Sequence, residues 1–129
     1  ACGLSRGWDQ NHGGVFDEVD RRDGGVLMST KRIWPLLELI KALAVFPNSS
    51  AEVSLLGAVD LMLDRYLTDD GRWTERFNAD WTPAEQTMPA STAYHISTAL
   101  AELERVVSKE SGEVLSDGAR VKPPSDSAP

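Results

Sequence analysis

The residues best suited to proton chemistry in this chain are its two histidines, His12 and His95, because imidazole is the one side chain whose unperturbed pKa lies near neutrality. His95 closes the run Pro89-Ala90-Ser91-Thr92-Ala93-Tyr94-His95, about one turn inside the start of an expected helix. There it reads either as an acid–base group or as a half-buried histidine behind a capped helix start. His12, in Asn11-His12-Gly13-Gly14, reads first as a solvated turn residue. The four tryptophans each have a carboxylate close by: Trp8 precedes Asp9, Trp34 lies one helical turn before Glu38, Trp73 is two residues from Glu75, and Trp81 follows Asp80. Indole faces stack on the apolar C–H side of a sugar ring and carboxylates accept from its hydroxyls, so these pairs suit a polyhydroxylated ligand. Core tryptophans beside solvated acids would give the same letters. The i, i+4 spacing places Trp34 and Glu38 on one helix face.

Other catalytic templates fail. The chain has no Gly-x-Gly-x-x-Gly, no phosphate-binding Walker loop and no His-Glu-x-x-His. Gly3-Leu4-Ser5-Arg6-Gly7 matches the letters of a nucleophile elbow, but that motif needs a strand before it, and only two residues precede it here. The single cysteine, Cys2, makes no internal disulfide, and with two histidines there is no Cys/His zinc cluster, so no metal site is expected. A reducing cytoplasm is the expected location.

The elements that must position these residues follow from the hydrophobic pattern. Residues 13–30 read as two short strands, Val15 to Val19 and Val26 to Ser29, around the charged turn Asp20 to Gly25. From Lys31 to Phe46 the apolar residues Ile33, Leu36, Leu37, Ile40 and Leu43 recur at helical steps, with Thr30 as the expected cap, Pro35 in the first turn and Pro47 as a stop. A second helix is expected from Ala51 to Leu67, capped by Ser50, with Val53, Leu56, Val59, Leu63 and Tyr66 on its buried face. Residues 71–89 lack periodicity and read as an aromatic-rich loop. A third helix runs from Ser91 to Lys109 on Ile96, Leu100, Leu103 and Val106. Residues 110–129, rich in Pro, Ser and Gly, read as a disordered tail after a single domain over 1–109.

With 129 residues, 26% of them charged, and a net charge of −7, the chain has room for one small domain and no basic stripe for nucleic acid or an anionic membrane. No stretch approaches the ~20 apolar residues of a membrane span. Helices apolar on two sides in so short a chain leave a core unfinished. The first residue is Ala1 rather than Met, which reads as a fragment or processed product.

Taken together, these segments resemble the C-terminal part of the N-acylglucosamine 2-epimerase family. The resemblance rests on Gly13-Gly14 with its hairpin, Lys31-Arg32-Ile33-Trp34-Pro35 with Glu38, Gly71-Arg72-Trp73, and above all Pro89 to Ile96, in the family's order over residues 7–106. It implies an all-α architecture, the C-terminal part of an (α/α)6 barrel of roughly twelve helices with a short β-hairpin insertion. It further implies epimerisation at C2 of a sugar, or aldose–ketose isomerisation, by proton transfer next to the carbonyl. In such enzymes two histidines act as acid and base. His95 matches the C-terminal one, Trp34 matches a pocket-lining aromatic, and Asp80 and Ser91 match residues that approach the sugar. Trp8 and Glu38 complete the expected substrate-binding set on their aromatic–acid pairing. The second histidine and a sugar-binding arginine belong to an upstream segment, so this chain is expected to be inactive alone. Leu36 and Ala93 stand where relatives often have Gln and Pro, which bears on substrate preference. The implied partner is a small sugar or sugar phosphate, with no metal or organic cofactor needed; Arg72 and Arg76 alone do not decide between the two. The missing N-terminal part of the barrel, or a second copy of the chain, is the expected protein partner. The alternative is a non-catalytic helical carbohydrate-binding or scaffold domain.

Overall fold

The structure, a computed structural model, describes residues 2–85 and 87–117. In chain order its elements are α1 (Cys2–Gly7), β1 (Glu18–Val19), β2 (Val26–Met28), β3 (Lys31–Arg32), α2 (Ile33–Val45), α3 (Leu55–Leu61) running on into a π-helical turn over Met62–Tyr66, β4 (Arg76–Phe77), β5 (Pro83–Glu85) and α4 (Ala90–Asp117). Among the described residues no helix is long and apolar enough to cross a membrane.

α2 carries the core. Its residues Ile33, Leu36, Leu37, Ile40 and Leu43 are fully buried, at the helical steps the sequence shows. Each such side chain contributes roughly 1.5–3 kcal/mol by leaving water. The helix packs against both α4 and α3. The buried residues Ala99 of α4 and Ala58 of α3 are small, and Ile96, Leu103, Leu55 and Val59 close over the cluster.

The start of α2 differs from expectation. Lys31 and Arg32 are extended and pair with Phe77 and Arg76, so the helix begins at Ile33. Arg32 provides no side-chain cap; the Ile33 N–H instead donates to the Glu75 carbonyl at 3.1 Å. Thr30, the expected cap, donates its hydroxyl to Asp17 Oδ2 at 2.6 Å. Pro35 falls in the first turn, where its missing N–H leaves no gap.

α3 also starts late. Ser50 accepts the N–H groups of Glu52 and Val53 in a separate turn, and Ser54 is the true cap, accepting Gly57 N–H at 3.1 Å. The π-helical turn, closed by Leu67 N–H donating to Met62 O, rotates the following residues. The buried face is Ala58, Met62 and Tyr66, while Leu56 and Leu63, expected inside, are exposed.

Residues 71–89 are not irregular. β4 and β5 join β3 in a three-stranded antiparallel sheet, with Arg76 opposite Glu85 and Phe77 opposite Pro83 across a bulge. Two- and three-residue strands leave no alternation to read. Trp81, in the β4–β5 turn, sits at φ 68, held by its indole N–H donating to His12 O at 2.9 Å and by edge-on contacts with Tyr66 and Phe77. β1 and β2 form the expected hairpin, although Val15 bridges to Trp8 instead of extending β1. α4 continues past Lys109 to Asp117, into the stretch expected to be a tail; residues 118–129 lie outside the described residues. The Gly3–Gly7 run lies on α1, with no described strand before it to make a nucleophile elbow.

Lys31 joins the N-terminal segment to this sheet. It is fully buried, with Nζ 2.8 Å from Asp9 Oδ2, donating to Ala79 O at 2.9 Å and lying over the Trp81 ring at 4.5 Å.

Candidate active site

The start of α2, the β4–β5 strands and the start of α4 converge on a cavity of about 480 Å³. Arg32 and Trp34 line it from β3 and α2, Glu75, Arg76 and Glu85 from the β4–β5 hairpin, and Pro89, Ser91, Thr92 and His95 from the turn leading into α4. Three residues expected from sequence, Trp34, Ser91 and His95, thus face one space.

Glu38, one turn along α2 from Trp34, reaches across to α4, where its Oε1 lies 2.7 Å from His95 Nδ1. The same oxygen is 2.6 Å from Lys41 Nζ. Burial pushes the Glu38 carboxyl up, but the hydrogen bonds from Lys41 and His95 outweigh it and hold the group below the usual carboxylate range. An ionised Glu38 accepts, so Nδ1 of His95 carries the hydrogen and the neutral ring keeps its lone pair on Nε2. The ring is further fixed between Trp34, at 6.1 Å between centroids, and Tyr94, at 5.7 Å. Thr98 donates to the His95 carbonyl and accepts from Lys41, tying the pair to the next turn of α4. A histidine at a cavity wall with one ring nitrogen held by a carboxylate has the arrangement that acid–base chemistry uses.

Two expected residues lie elsewhere. Asp80 is exposed in the β4–β5 turn, where its carboxylate accepts from the Thr82 N–H and hydroxyl and is held below the usual range by those bonds. Trp8 bridges to Val15 in the N-terminal segment. His12 faces Asp9 Oδ2 at 3.3 Å and does not line the cavity. Glu75, expected only as the acid beside Trp73, lines the cavity, and so do Arg32 and Glu85, which were not singled out for it. Their signal was cross-strand pairing, Arg32 with Arg76 and Arg76 with Glu85, which only the sheet reveals. Arg72 pairs with Asp70 at 2.7 Å instead of joining Arg76.

A family model described as N-acylglucosamine 2-epimerase matches residues 1–99, most of the chain. The chain belongs to the N-acylglucosamine 2-epimerase family. The family comprises carbohydrate epimerases and isomerases, and similar proteins carry such names. A mannose-6-phosphate isomerase of Rhizobium meliloti (strain 1021) is 36% identical over 98 residues, which cover 70% of this chain and 24% of that protein. The structure of cellobiose 2-epimerase from Spirochaeta thermophila DSM 6192 superposes with a TM-score of 0.67 at 25% identity, over 81% of this chain and 30% of that one. A D-mannose isomerase crystal structure superposes with a TM-score of 0.66 at 17% identity, over 79% and 28%. The chain spans about a quarter of the length of the curated relative that it matches. As an N-acylglucosamine 2-epimerase family chain, it holds its cavity and the His95–Glu38 pair within, or at the edge of, the matched residues.

Proposed function

We propose that this chain is the C-terminal part of an (α/α)6-barrel sugar 2-epimerase or aldose–ketose isomerase, with His95 as the group that moves the proton beside the sugar carbonyl. The observation that carries this reading is the 2.7 Å contact of His95 Nδ1 with Glu38 at the wall of the cavity. In the proposed step Nε2 of His95 takes the proton from C2 of an open-chain aldose, and the C–H electron pair passes into the carbonyl to leave an enediolate. The imidazolium formed is stabilised by Glu38, as a carboxylate behind a catalytic imidazole does elsewhere. Return to C2 on the same face regenerates the substrate; return to C1, with the O2 proton passing to O1, gives the ketose. Delivery to the opposite face of C2, which gives the epimer, needs a second acid–base group. Among the described residues His95 is the one imidazole lining the cavity, so a second histidine would come from residues outside this set. Trp34 stacks on the sugar and Ser91 bonds a hydroxyl in this reading, with no metal or organic cofactor taking part.

His95→Asn in the complete protein should cut exchange of the C2 hydrogen into deuterated water by about 10²–10⁴-fold. Exchange at the unaltered rate sinks the assignment. The lone imidazole at the cavity also favours a second reading, a carbohydrate-binding domain without turnover. Calorimetric binding of mannose with no hydrogen exchange in the complete protein would select it.

A further inference from the structure

We propose that Lys41 is a positioning residue for the proton transfer at His95, acting through Glu38 and not on the sugar; this rests on the epimerase or isomerase reading above. Glu38 reaches His95 from the neighbouring helix, and its side chain is 42% exposed. A carboxylate so open to water gains little from any one partner and is free to turn away from it. Lys41 removes that freedom. It stands three residues further along α2, on the same face, and its Nζ lies 2.6 Å from Oε1, the oxygen that faces His95 Nδ1 at 2.7 Å. The ammonium is itself held at a second point, donating to Thr98 Oγ1 at 3.4 Å, and the Thr98 hydroxyl donates to the His95 carbonyl at 3.1 Å. Lys41, Glu38, His95 and Thr98 thus close a ring of polar contacts between α2 and α4.

An ammonium donates and never accepts, so beside it Glu38 serves as an acceptor. Burial pushes the Glu38 carboxyl up, and the Lys41 hydrogen bond is the foremost of the effects that bring it below the usual range. The hydrogen of the neutral His95 ring is then drawn to Nδ1, and Nε2 is left bare to take a proton. In the other tautomer Nε2 already carries a hydrogen and cannot accept one from C2. Neither Lys41 nor Glu38 lines the cavity, so loss of Lys41 should register in the chemical step and not in binding.

The test is a double-mutant cycle on exchange of the C2 hydrogen of mannose in the complete protein, with thermal melts to show that each variant is folded. Lys41→Met keeps the stem and removes the charge. It should lower kcat for exchange about three- to fivefold and leave KM within about twofold. Lys41→Gln carries the same expectation should the methionine variant not fold, and Lys41→Arg should recover most of the loss. In a Glu38→Ala background the residue Lys41 acts through is gone, and adding Lys41→Met should change the rate by less than about 1.5-fold. Nitrogen-15 spectra of the neutral His95 ring should show the Nδ1–H tautomer in the unaltered protein and a mixture in Lys41→Met. A raised KM with kcat intact, an unaltered rate, or an equal loss with and without Glu38 overturns the proposal and leaves the sugar reading standing. Exchange that survives His95→Asn at the unaltered rate overturns that reading and the proposal with it.

Discussion

Replacing Lys31 by Met keeps the length and apolar stem of the side chain and removes its charge, so the change isolates the ion pair with Asp9. The Asp9 carboxylate is 4% exposed and would be left without the ammonium 2.8 Å away. Breaking a buried pair from one side costs about 3–5 kcal/mol. Asp9 keeps the backbone N–H bonds of Asn11 and His12, at 2.9 and 3.2 Å, which argues for the lower end. The Ala79 carbonyl loses its donor as well, a further ~1 kcal/mol. About 3–4 kcal/mol is a large share of the 5–15 kcal/mol typical of a domain. Urea unfolding followed by tryptophan fluorescence should show the midpoint falling by about 1–3 M with little change in slope. A pH series adds a sign. Burial pushes the Asp9 carboxyl up, and the Lys31 hydrogen bond with those of Asn11 and His12 more than offsets it, so the folded value lies below the unfolded one. Such a group contributes stability that is complete above about pH 4 and is lost as pH falls through the depressed value. Without Lys31 the burial is offset only by the Asn11 and His12 bonds, the folded value rises, and this part of the acid slope should shrink. Adding Asp9→Asn to Lys31→Met should recover at least half of the lost stability. A single variant that costs under about 1 kcal/mol, or a double variant as unstable as the two singles summed, would refute the tether.

Three further outcomes follow from the geometry. Gly14→Ala should lower stability by about 1–3 kcal/mol in a thermal melt, because Gly14 sits at φ +92 and a new Cβ would meet Lys31 and Trp81 at 3.0 Å; Gly71→Ala, at φ +81 in open space, should cost about 1 kcal/mol. Tyr66 is buried and its phenol is pushed far up by that burial, with Asp17 and Glu75 adding to it. In an alkaline absorbance titration it should yield no phenolate signal until the chain unfolds, and Tyr66→Phe should cost about 1 kcal/mol for the bond to Lys31 O. Glu38→Gln should slow C2 hydrogen exchange by at least about tenfold while leaving mannose affinity within about threefold, since it disturbs the ring of His95 and not the sugar.

The helical half of the fold was legible because burial imposes a period. Leu36, Leu37, Ile40 and Leu43 announce α2, and Ile96, Leu103 and Val106 announce α4. The sheet was not, because β3 and β4 are two residues each and owe their shape to partners more than forty positions away. Leu63 lies in the π-helical turn, which breaks the 3.6-residue rhythm that such a reading depends on, whereas Leu56 precedes the turn and its exposure has no such cause. Within the site, His95, Trp34 and Ser91 stand in local motifs and could be named. The His95–Glu38 bond spans 57 positions, so the sequence showed both residues without showing that they touch. The pairing of Arg32 with Arg76 was hidden for the same reason.

β3 has two residues, and they face opposite ways: Lys31 turns inward to the Asp9 tether, while Arg32 turns to the cavity. One peptide unit therefore joins the chain's deepest ion pair to the wall where a ligand would rest. If a ligand held at Arg32 steadies β3, reciprocity requires that the Lys31–Asp9 contact be steadied with it. Residues 9–14, outside the cavity lining, would then bear on the affinity through β3 alone.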